Sequence, residues 1–161
     1  MADLGNAVHC LTDGVTHMPN QVFLPTPTDT PLEETHNRKR QKTRLQPDAM
    51  LATKTGNLAN DNIHIVEFKY WWDTDHAPQL QNCIEQHKTL VEALTHKGYS
   101  PQNIKVVPIL IGMSGTIYLK HTLENMQSLG ISQPHAMKCA LKMHTQAITS
   151  LHSIVSVRRH L

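Results

Sequence analysis

Two acids and one amine stand in an order that suits phosphodiester hydrolysis. Pro47-Asp48 is followed, after eighteen intervening residues, by Glu67-Phe68-Lys69. The second group lies in a strand-like run, Ile63-His64-Ile65-Val66-Glu67-Phe68-Lys69-Tyr70-Trp71-Trp72. Strand side chains alternate faces, so Glu67 and Lys69 point the same way, roughly 7 Å apart at about 3.3 Å per residue. Val66, Phe68, Tyr70 and Trp72 would form the opposite, apolar face. Cleaving a phosphodiester requires charge neutralisation at the phosphate and a hydroxide-like nucleophile. A hard divalent cation, Mg²⁺ or Mn²⁺, meets both needs and prefers oxygen ligands. Asp48, Glu67 and the Phe68 carbonyl would supply those oxygens. Lys69 would orient or deprotonate the attacking water, or stabilise charge in the transition state.

This constellation resembles the PD-(D/E)xK, or restriction-endonuclease-like, nuclease superfamily. The matching residues are Pro47, Asp48, Glu67 and Lys69. The resemblance covers the chain from Gln46 onward and implies an α/β fold, with a small mixed sheet flanked by helices. It also implies Mg²⁺-dependent cleavage of DNA, less often RNA. The stretch from Phe68-Lys69-Tyr70 to Gly115-Thr116-Ile117-Tyr118 also looks like nuclease-type segments of eukaryotic retroelement polyproteins. Relatives usually carry an acid on a substantial first helix; here only Asp3, Glu33 and Glu34 are near, and none is assigned that role. The alternative is an inactive nuclease-fold module that binds nucleic acid or protein, because solvent-facing strand positions attract charge in any fold.

The elements that must position these residues follow from patterning. Asp48 to Thr53 reads as a strand, Lys54 to Asn62 as a hairpin connection rich in Asn and Gly, and Ile63 to Trp72 as the partner strand. Asp61, a rival acid, falls in the connection, too far back to share an ion with Glu67. A helix is expected from Pro78 to His96, with Leu80, Ile84, His87, Val91 and Leu94 on one stripe. His87 reads there as a packed core histidine. Gln79 and Gln86 share a flank, and Gln86 is a candidate for binding substrate or positioning water, against the plainer reading of a surface glutamine. Ile104 to Ile111 reads as a strand buried on both faces, with Pro108 suggesting an edge or bulge. Gly112 to Thr116 reads as a turn whose amides could approach a phosphate.

Leu119 to Leu129 is expected to be helical and closed by Gly130. A last helix should start at Ser132, with Met137, Leu141, His144, Ile148, Leu151 and Val155 on its core face. Arg158, Arg159 and His160 would complement its C-terminal dipole. His135 and Cys139 lie four apart on this helix, but as a zinc pair they lack two partners, so no zinc site is expected.

The chain of 161 residues is long enough for one domain with a proper core. Residues 1–45 form a Pro-interrupted segment, with a short helix from Leu4 to Leu11 and otherwise loop or extended chain; residues 46–161 form the nuclease-like core. A net charge of +2 does not announce a nucleic-acid binder. The run Arg38-Lys39-Arg40-Gln41-Lys42-Thr43-Arg44 does so locally: Arg38, Lys39, Arg40, Lys42 and Arg44 would contact phosphates or serve in nuclear import. The alternative is a solvated loop. Cys10, Cys83 and Cys139 form no C-x-x-C, which favours a reducing compartment over a disulfide framework. With neither a long apolar span nor a secretory leader, an intracellular protein is expected, with the nucleus as the further option that the basic run offers. Cutting both strands would call for a homodimer.

Overall fold

A computed structural model describes residues 4–15, 18–26, 46–73 and 75–158. It contains five α-helices and one four-stranded sheet: α1 (Leu4–Val15), β1 (Gln21–Leu24), β2 (Ala49–Thr53), β3 (Asn62–Trp71), α2 (Ala77–Gln86), α3 (Lys88–His96), β4 (Ile104–Gly112), α4 (Leu119–Ser128) and α5 (Gln133–Arg158). The strand order is β1-β2-β3-β4. The first two pairings are antiparallel and β3–β4 is parallel. The sheet is therefore mixed and open, within an α/β fold.

β3 is buried on both faces. Val66 and Phe68 join Ala49, Leu51, Val107, Ile109 and residues of α1, α4 and α5 in the larger core. Ile63 and Ile65 face the other way, with Met50, Ala52 and Leu94 of α3. Beyond them Trp71 packs on Cys83 of α2 and Leu110. The face that carries Glu67 and Lys69 is thus roofed by α2 and α3 rather than left to solvent. β3 ends at Trp71, so Trp72 does not continue the apolar face and is 78% exposed.

β4 fits its apolar reading, being buried along most of its length. Pro108 is tolerated because β4 is an edge strand. Its carbonyl accepts a hydrogen bond from Asn125 of α4 at 2.6 Å. Asp61 staples the β2–β3 connection: its Oδ1 accepts from the Thr55 amide at 2.7 Å and the Thr55 hydroxyl at 2.9 Å. Gly130 follows α4 with φ +85°, the left-handed conformation that a helix-closing glycine supplies.

Three sequence expectations are corrected. The segment after α1 contains a strand, β1, pairing Gln21–Leu24 with β2; four residues between Pro19 and Pro25 are too few to show alternation, and the β2 edge supplies the order. The helix expected from Pro78 to His96 is two helices, interrupted at His87 (φ −99°, ψ 8°). The break turns Ile84 outward, 46% exposed, and the inward stripe runs through Cys83 instead. On α5 the buried residues are Ala136, Cys139, Ala140, Met143 and Ala147, whereas Met137, Leu141, Ile148, Leu151 and Val155 are exposed. The core stripe is the expected one shifted by a single residue, about 100° around the helix. Small residues win because they let α5 approach closely: a Cβ on Gly14 of α1 would lie 2.5 Å from the His135 ring, and one on Gly115 would lie 2.8 Å from Ile148.

Candidate active site

The β2–β3 register pairs Ala49 with Val66. Extended by one residue it sets Asp48 opposite Glu67, and directly opposed residues of an antiparallel pair share a face. Asp48 Oδ2 accepts the Phe68 amide at 2.7 Å, which locks the incoming chain to β3 where the ladder ends. The Phe68 carbonyl leaves the strand along the same edge as that amide.

Glu67 is buried, and both of its oxygens are held. Oε1 accepts from Gln86 Nε2 at 3.1 Å, and Oε2 lies 3.0 Å from His87 Nε2. Lys69 Nζ donates to Gln86 Oε1 at 2.9 Å. Gln86 therefore uses both ends of its amide to tie lysine to glutamate. The interruption between α2 and α3 makes this arrangement feasible: consecutive residues Gln86 and His87 both reach one carboxylate from the helix end.

Burial raises the Asp48 pKa above its ordinary value; the Phe68 amide opposes this, Glu67 raises it further, and His87 lowers it. The two carboxylates thus repel each other through a poorly solvated space, a strain that a bound cation would relieve. Burial also pushes the Cys83 thiol up, with Lys69 opposing and Glu67 and Asp48 reinforcing. Cys83 accordingly lies beneath the same cluster as an inert thiol.

Asp48, Glu67, Phe68, Lys69 and Gln86 are therefore brought together. Arg38, Lys39, Arg40, Lys42 and Arg44 lie outside the described residues, as do Asp3, Glu33 and Glu34. The side chains of Arg158, Arg159 and His160 do so too. Sequence reasoning missed the role of His87: it is buried, as expected, but as a hydrogen-bond partner of Glu67 rather than as packing alone. Its position beside Gln86 was the available signal. The expected turn is present at residues 113–115, and the amides of Gly112 to Gly115 are occupied within the protein. The amides of Gly112, Met113 and Gly115 go to Thr116, Trp71 and Gly112 carbonyls, and that of Ser114 goes to Asp73 Oδ2 at 3.0 Å. A groove of about 520 Å³ between α2, α3, β4 and α4, lined by Ile84, Glu85, Lys88, Val91, Val106 and Asn125, contains neither Asp48 nor Glu67.

The donor set fits a hard cation. By register Asp48 and Glu67 stand opposite each other at the end of β2 and β3, close enough for Glu67 to raise the Asp48 pKa, and Asp48 Oδ1 accepts no hydrogen bond among the described residues. No soft ligand intervenes, since Cys83 is fully buried beneath. No family model matches this sequence, and no curated protein gives a significant match. No helix among the described residues is long and apolar enough to cross a membrane.

Proposed function

We propose that the chain is a metal-dependent endonuclease of the restriction-endonuclease-like type, acting on DNA and using Mg²⁺ or Mn²⁺. The observation that supports this reading is the register that sets Asp48 opposite Glu67, with Lys69 linked to Glu67 through Gln86. Asp48, Glu67 and the Phe68 carbonyl would hold the ion. Bound there, Mg²⁺ would neutralise phosphate charge and acidify water.

The chain's own residues do the rest. Asp48 is fixed by the Phe68 amide, so its carboxylate needs little reorganisation. His87 and Gln86 hold Glu67 in one rotamer, the supporting role that hydrogen-bonded neighbours play around ligating carboxylates. Lys69 places an ammonium beside the acids, where it would orient water or stabilise developing phosphorane charge. Residues 38–44 would contact backbone phosphates and give affinity without sequence preference. A homodimer would present one such site to each strand.

A second reading, a nucleic-acid-binding module without catalysis, is favoured by one observation: both Glu67 oxygens already have protein partners. Supercoiled plasmid separates the two. Cleavage in Mg²⁺ that stops in EDTA is expected. Salt-dependent binding with no cleavage in either would replace the hydrolase with the binding module.

A further inference from the structure

A second cluster lies on the opposite side of the sheet. Cys10 of α1 and His135 and Cys139 of α5 place their ligand atoms all within 4.8 Å of one another. His135 and Cys139 are one helical turn apart, so both project from the same face of α5. The fold brings Cys10 to them across more than a hundred residues of sequence and so supplies one of the two partners they lacked. We propose that Cys10, His135 and Cys139 form a binding site for a soft divalent cation, Zn²⁺, that clamps α1 onto α5.

Four observations support this. The two α5 groups are already aimed at one point: His135 Nε2 and Cys139 Sγ each lie 3.1 Å from the Cys10 carbonyl oxygen. All three cysteines are free thiols, so the two sulfurs are available. The contraction required is small, because tetrahedral zinc with bonds of about 2.0–2.3 Å sets its ligand atoms roughly 3.5–3.8 Å apart. Finally, space for the imidazole has been left on α1, where a Cβ on Gly14 would strike the His135 ring at 2.5 Å.

The chemistry balances with the groups present. Without metal, burial and the Cys10 thiol hold the Cys139 thiol well above the usual range; Lys142 opposes this and Asp13 reinforces it. On binding, Cys10 and Cys139 each lose a proton to solvent. His135 moves its proton to Nδ1 and offers the Nε2 lone pair, so the ring stays neutral. The ion takes two thiolates and one imidazole, and water completes a tetrahedron. His135 is partly exposed and gives the ion a path inward.

Co²⁺ is the probe, because thiolate ligation gives a sulfur-to-cobalt charge-transfer band that carboxylates cannot produce. Titrating the full chain, reduced and freed of metal, should develop this band to one ion per chain. Zn²⁺ should then abolish it by displacing Co²⁺; added instead to the metal-free chain, Zn²⁺ should release two protons per ion and raise Tm by about 5–10 °C. Cys139→Ser and Cys10→Ser should each remove most of the band, while Cys83→Ser, outside the cluster, leaves it intact. Far-ultraviolet circular dichroism of the metal-free variants shows whether they fold. If Cys139→Ser does not, His135→Gln on the partly exposed position should weaken Co²⁺ affinity at least tenfold. Absence of the band in the wild type, or its survival in both cysteine variants, overturns the proposal, as does a band lost with Cys83. None of these outcomes depends on nuclease activity.

Discussion

The two clusters of ligating side chains are built in opposite ways. The acids at the end of β3 come from one hairpin: Asp48 and the Phe68 amide that holds it are twenty residues apart. Local pairing sets their spacing, and hard oxygen donors dominate. The cluster between α1 and α5 joins residues 129 apart, such as Cys10 and Cys139, through helix packing alone. Its donors are sulfur and imidazole nitrogen. The acids are spaced by strand register and only held in place by Gln86 and His87 from the helices, whereas the second cluster takes its spacing itself from the approach of α1 and α5.

Gln86 offers the largest way to sharpen that contrast. It joins Lys69 to Glu67 without lying on the sheet. Gln86→Leu should slow cleavage by about 10–100-fold, the usual cost of losing a group that orients a metal ligand. The cobalt signal at the other cluster should stay unchanged.

Helix approach is tested by two neighbours on α5. Ala140 is buried and Leu141 is 63% exposed. Ala140→Leu overpacks the junction and should cost about 1–3 kcal/mol in urea unfolding. Leu141→Ser should change stability by no more than about 0.5 kcal/mol. Reversed magnitudes would mean that α5 buries the large stripe after all.

Asp48 tests the acid cluster through stability as well as cleavage. Its folded pKa is raised above 3.8, chiefly by burial. The folded state therefore holds this proton more tightly than the unfolded state, and stability from this group falls as pH rises from about 4. Asp48→Asn keeps an oxygen for the Phe68 amide and removes the charge. It should raise Tm at pH 7 by about 1–3 °C, flatten the fall above about pH 4, and abolish cleavage. A lower Tm at neutral pH would show that the carboxylate stabilises the fold instead.

Much of the acid cluster was legible in the sequence because a hairpin converts sequence distance directly into spatial distance. Alternation in Ile63 to Lys69 set the faces, and the Asn-rich connection set the register. The β1 strand was hidden because its order comes from the edge of β2 rather than from its own four residues. The α5 face was misread for a related reason. Hydrophobic size marked Leu141, Ile148 and Leu151, but the interior selected Ala136, Ala140 and Ala147 for closeness. Once α5 is placed by those small residues, Cys10 meets His135 and Cys139. Nothing in the spacing of His135 and Cys139 could reveal a third ligand from the other end of the chain. His87 lay between these cases: its burial was readable, whereas its contact with Glu67 required the break between α2 and α3.

The central claim is that Asp48 and Glu67 share one catalytic divalent ion, and the single-turnover rate of plasmid cleavage against Mg²⁺ concentration tests it most directly. The expected curve for the wild type is saturable and falls to background in EDTA, and Glu67→Ala lies about 10²–10³-fold or more below it at every concentration. Equal trace cleavage by wild type and Glu67→Ala, indifferent to Mg²⁺, would contradict the account.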